Sequence, residues 1–221
     1  MMSPLALDLA LALLTSAQAR GTVLNKTKLL KLMYLADIEH FRTYRKTLTG
    51  FEWIFFLYGP WAPEYDTLVA ELELRDLIEI ESWESGGLSG DRLKAKEDRD
   101  LGKVFESTNE YFRVKNQVDT WSDRSLSDLL DYVYFDTDPM RDAVSLQPLD
   151  FEKVSPEEPT LYRRSKSGAS DASVRNLRRR FTEIRERNQQ ARQAAISSFV
   201  PPTYDEAYQE ALAQLSNESE L

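Results

Sequence analysis

The sequence contains no cysteine and a single histidine, His40, among 221 residues. The first absence excludes disulfide frameworks, thiolate zinc sites and cysteine nucleophiles, and the second excludes multi-histidine metal sites. Glycine is sparse, and its one adjacent pair, Gly86-Gly87, is not followed by a Gly-Lys-Ser/Thr triplet. No phosphate-cradling loop is therefore present, and no cofactor is expected. No run approaches the ~20 apolar residues of a membrane span. The most apolar stretch, residues 5–14, carries Asp8 and lacks a basic lead-in, so it reads as a helix and not as a secretory signal. A reducing, cytoplasmic setting fits these absences.

What is present is a sharp division of charge. The net charge is −9, yet residues 163–192 hold ten basic side chains against three acidic ones. The remainder is strongly acidic and a poor ligand for nucleic acid, which makes the late segment an electrostatic exception. Two readings stay open for that arm: packing on the acidic body, or engagement of an acidic outside partner. With 42% apolar and 29% charged residues, the chain supports a real core beside a long solvated surface.

Local patterns sketch the elements. Ser3-Pro4 opens a first helix that Gly21 stops, and Asn25 caps a second running to about Arg45. In that second helix Leu29, Leu32, Met33, Leu35 and Ala36 form an apolar stripe, with Lys26, Lys28 and Lys31 expected to face away. Residues 51–58 are aromatic on both faces, as in an extended segment covered on two sides, and Gly59-Pro60 ends it. Pro63-Glu64 opens a third helix with Tyr65, Leu68, Val69 and Leu72 on one side.

A β-hairpin is expected at about 77–96, its outward charges acidic on the first strand and basic on the second. That arrangement suits cross-strand pairing better than a DNA-gripping wing. The spacing predicts one helix from about Asp98 to Val118 through Leu101, Val104, Phe105, Thr108 and Phe112, and another from Ser125 to near Phe135. Residues 161–172 read as a linker, and beyond them Val174, Leu177, Phe181 and Ile184 form a narrow helical seam flanked by arginines.

Three constellations invite chemistry. His40 follows Asp37 and Glu39, a conceivable carboxylate–imidazole pair, although a partly buried polar residue at a helix end accounts for it as well. Asp131, Asp136, Asp138 and Asp142 form a carboxylate group that matches neither a calcium loop nor a two-metal pattern. Trp53, Phe55, Phe56, Tyr58, Trp61 and Tyr65 crowd together, as a core cluster or as an exposed hot-spot platform. None of these assembles the convergent acids and bases of an enzyme, so no enzymatic activity is expected.

Taken together, Lys28-Leu29-Leu30-Lys31-Leu32-Met33-Tyr34-Leu35-Ala36-Asp37, then Thr49-Gly50, Leu57-Tyr58-Gly59-Pro60 and Leu77-Ile78-Glu79 resemble the Panacea domain, or SocA-like antitoxin domain. The segment Asp128-Leu129-Leu130-Asp131-Tyr132-Val133-Tyr134 with Pro139-Met140 is similar to its later helix and exit. Leu30 stands where a polar residue is common in the motif.

The resemblance implies a mainly α, α+β fold with a small β-hairpin in a helical core over 1–160; the linker at 161–172 and the helical extension over 173–221 are read from the residues and lie outside the motif. It implies an antitoxin of a toxin–antitoxin system that neutralises a cognate toxin protein by direct binding, an activity tied to phage defence. Alternatives are a regulator binding operator DNA, its own operon included, or an adaptor passing the toxin to a protease; no membrane partner is implied. The residues expected to meet the partner are Tyr58, Trp61, Tyr65, Arg178, Phe181, Ile184 and Arg185.

Overall fold

The computed structural model describes residues 4–56, 59–85 and 88–156. The predicted linker and the helical extension lie outside the described residues.

Pro4 opens helix α1 (Pro4–Gln18), whose alanines and leucines are buried on most sides. It ends at Gly21, where φ is +78°. The Gly21 N–H donates to the Gln18 carbonyl at 2.8 Å and the Thr22 N–H to the Ala17 carbonyl at 3.0 Å. This pair of bonds satisfies the last carbonyls of the helix and demands a residue tolerant of the left-handed region.

The chain then forms the two-residue strand β1 (Leu24–Asn25) and enters α2 (Lys26–Tyr44). Asn25 serves both elements, pairing with Arg92 in the sheet and accepting the Lys28 N–H at 2.7 Å as helix cap. Every residue from Leu29 to Phe41 is buried, so α2 is the central rod of the fold and not an amphipathic helix docked by one stripe. It packs against α1 and against two later helices, α4 (Thr108–Trp121) and α5 (Leu126–Asp136).

The expectation that Lys28 and Lys31 face away is thereby corrected. Lys28 donates to the carbonyls of Ser122 and Arg124 at 2.7 and 2.6 Å, placing a cation at the end of α4 (Thr108–Trp121). Lys31 is only 3% exposed.

Gly59-Pro60 does not simply end the aromatic segment. Gly59, at φ +107°, turns the chain so that β3 (Pro60–Trp61) pairs antiparallel with β2 (Ile54–Phe55). Next come α3 (Glu64–Leu74), with Tyr65, Leu68, Val69 and Leu72 buried, and the hairpin of β4 (Ile78–Ser85) and β5 (Leu88–Ala95). The hairpin register sets Glu79 opposite Lys94 and Glu81 opposite Arg92, which confirms the acidic and basic strands, and β1 adds on the far edge of β5.

The helix expected from Asp98 is instead split. Asp100 caps a 3₁₀ turn over Leu101–Lys103, and α4 starts only after Ser107, whose Oγ accepts the Glu110 N–H. Leu101, Val104 and Phe105 are buried from the loop, whereas Phe112 is 60% exposed. Finally Ser125 caps α5 (Leu126–Asp136), as its sequence predicts. The architecture is thus mainly helical with small antiparallel sheets, an α+β fold.

Candidate functional site

Two sets of side chains stand out: a polar ladder inside the fold and an apolar face outside it. The ladder runs along α2 at intervals of three residues, Lys31, Tyr34, Asp37 and His40, and each member binds a different part of the chain. Lys31 Nζ donates to the Pro60 carbonyl at 2.5 Å, and the Tyr34 hydroxyl lies 3.1 Å from Thr137 Oγ1. Asp37 accepts the backbone N–H of Leu48 and of Thr49 at 2.8 and 2.9 Å, the Thr49 hydroxyl at 2.5 Å and the Trp53 indole N–H at 2.7 Å. His40 Nδ1 is 2.7 Å from Glu110 Oε1.

The electrostatics follow from burial. Desolvation lowers the Lys31 amine to about 7, and its polar partner among the described residues is a neutral carbonyl. Burial pushes the Asp37 carboxyl up, against the downward pull of Thr49, Trp53 and Leu48. Glu39 is likewise raised by burial, although Arg42 and Arg113 oppose it. His40 therefore pairs across to α4, and neither Asp37 nor Glu39, its neighbours in sequence, is its partner.

Lys31, Tyr34 and Asp37 belong to the motif, and each is committed to a bond within the fold. A carboxylate that gathers four donors from one loop fixes that loop, and leaves no lone pair aimed at a substrate.

The outer face is built on β2 and β3. Residues 146–149 run antiparallel along the other edge of β2, with Phe55 N–H donating to Gln147 O at 3.0 Å, Leu146 N–H to Phe55 O at 2.7 Å and Leu149 N–H to Trp53 O at 2.8 Å. Ile54 bridges to both Trp61 and Pro148. Alternation along the strand turns Phe51 and Trp53 inward, where they are buried, and Glu52, Ile54 and Phe56 outward. The Phe56 and Trp61 rings lie 5.3 Å apart on this outward side. Val144 and Leu146, at the end of the segment that pairs with this edge of β2, are 65% and 64% exposed, and Leu146 has φ +66°.

Of the expected partner residues, Trp61 falls on this face, half-buried. Tyr65 does not: it is 3% exposed, and its hydroxyl donates to the Lys26 carbonyl at 2.7 Å, so it is a core residue of α3. Tyr58, Arg178, Phe181, Ile184 and Arg185 lie outside the described residues. Among the described residues no group of three or more His, Asp or Glu, these aspartates included, is arranged to hold a metal. Asp138 is instead committed to Arg141 and to the Ser155 N–H. Sequence reasoning missed Val144 and Leu146, which sit in an aperiodic stretch with no spacing signal.

The polar residues of the central helix thus fasten neighbouring segments from within, and an apolar sheet face is left outside. Residues 29–134 match the family model described as Antitoxin SocA-like, Panacea domain, from within α2 to within α5. That match spans just under half of the chain, and over this stretch the chain is similar to SocA-like antitoxins. No curated protein and no solved structure matches the chain. Among the described residues no helix is long and apolar enough to cross a membrane.

Proposed function

We propose that the protein is the antitoxin of a toxin–antitoxin pair, and that it neutralises its cognate toxin by direct, stoichiometric contact in the cytoplasm. The observation that carries this reading is the Panacea domain match over residues 29–134. The interior chemistry supports it, since Lys31, Tyr34, Asp37 and His40 are spent on bonds within the fold. In this reading the chain acts by occupying a surface and transforms no substrate.

The hairpin supports a protein partner over DNA. Lys94 is paired with Glu81 and Lys96 with Asp76, which leaves these cations engaged and not displayed to a phosphate backbone.

The test is co-expression with the protein encoded by the neighbouring gene. Rescue of growth together with co-purification as a stoichiometric complex, burying at least the ~1,200 Å² of a specific interface, is the expected result. Absence of both rescue and complex overturns the reading.

A further inference from the structure

Leu146 occupies a position that the fold itself does not reward. Phe55 donates to Gln147 O while its own carbonyl accepts from Leu146, so two residues of the 146–149 strand oppose one residue of β2. That is a β-bulge of the kind whose first residue is ordinarily a glycine in the left-handed region. Here that residue is a leucine at φ +66°. A branched side chain in this region carries strain, and a mostly exposed one recovers little of it by packing within the domain.

The face around the bulge has a consistent chemistry. Ile54, Phe56, Trp61 and Pro148 line it, none of them fully buried. Continuing the strand register by two pairs places Glu52 across from Asp150 at one end, both exposed. Glu64 joins them by accepting the Glu52 N–H on Oε1 at 3.1 Å, while its Oε2 is buried and without a partner. Among the described residues no lysine or arginine pairs with any of these three carboxylates. An apolar face that ends in uncompensated negative charge fits a partner with an apolar pocket bordered by cations.

We propose that this face, with Leu146 as its projecting anchor, is the docking surface for the toxin, and that the toxin meets it with an apolar pocket flanked by lysine or arginine. The inference rests on the antitoxin reading above. It assigns Trp61 and Leu146 to insertion, and Glu52, Glu64 and Asp150 to the cationic border. Strain at the bulge keeps the anchor presented before the partner arrives, which lowers the ordering cost of association.

The experiment uses the full chain and the neighbouring gene's product, scored by growth rescue and by co-purification. Leu146→Gly relieves the bulge and keeps the fold, so a loss of binding in this variant is not a loss of structure. The expected result is that Leu146→Gly melts no lower than wild type yet binds about tenfold more weakly or worse, the size of a hot-spot truncation. Leu146→Asp abolishes rescue, and the double variant Glu52→Lys with Asp150→Lys weakens the complex and flattens its salt dependence. If wild type rescues and these variants rescue and bind equally well, the docking surface is overturned while the antitoxin reading stands. If wild type neither rescues nor binds, the antitoxin reading falls and takes this surface with it.

Discussion

The indole N–H of Trp53 donates to Oδ2 of Asp37 at 2.7 Å, joining the central helix to the aromatic strand sixteen positions later. The same carboxylate holds Leu48 and Thr49, so one side chain fixes the whole return from α2 toward β2.

Replacing that carboxylate with its neutral isostere should be costly. In Asp37→Asn an amide N–H₂ faces donors that need an acceptor, and an unsatisfied buried donor costs about 2 kcal/mol. Chemical denaturation should show the loss as a lower midpoint with an unchanged slope, and tryptophan fluorescence should report the displaced Trp53 ring.

Lys31 predicts a pH dependence of definite sign. Its amine titrates near 7 in the folded protein against an ordinary 10.5, so above pH 7 the unfolded chain binds more protons at this residue than the native one. Its contribution to stability therefore rises as pH increases from about 7 toward 10, by roughly 1 kcal/mol per unit. The difference in unfolding free energy between wild type and Lys31→Met, measured from pH 7 to 9, should increase in favour of wild type; a flat difference contradicts the assignment.

Two helix caps provide a calibration. Ser107→Ala and Ser125→Ala each remove the acceptor of a first-turn N–H, of Glu110 and Asp128 respectively. Each should cost about 1 kcal/mol, and the pair should add, as they cap different helices. Thermal melts of the two single variants and the double variant check this.

The bulge yields a stabilising change. Leu146→Gly should raise stability by about 1 kcal/mol, the left-handed penalty less the extra freedom glycine gains when unfolded. A fall in melting temperature would show that the leucine is supported by contacts within the fold.

The legible parts of the fold were those with a local physical cause. Asn25 and Ser125 are caps by residue type, Tyr65, Leu68, Val69 and Leu72 announce one face of α3 by spacing, and the charges of β4 and β5 fix their own register. What stayed hidden depends on distant partners. Lys31 looks like a surface lysine until the Pro60 carbonyl, twenty-nine positions away, is seen to accept its hydrogen bond. Strand β1 is two residues long and has no signature apart from β5.

Ser107 was legible in principle, because Ser107-Thr108-Asn109-Glu110 has the form of a capping box. The three-and-four spacing of Leu101, Val104 and Phe105 masked it, although those residues reach the core from a turn and a loop. Of the expected partner residues, Trp61 lies half-buried on the outer face and Tyr65 is buried, since the sequence does not distinguish a phenol bonded to a helix carbonyl from one displayed to a partner. The bulge at Leu146 has no sequence signal, because its usual mark is the glycine that is missing here.

The inward-facing ladder of α2 has a practical use for protein engineering. Since Lys31, Tyr34 and Asp37 lock the chassis from within, positions 144, 146 and 148 form a small rewritable cassette whose randomisation leaves those fastenings untouched. A library confined to that cassette and Trp61 rewrites the outer face while the interior bonds of α2 stay as they are.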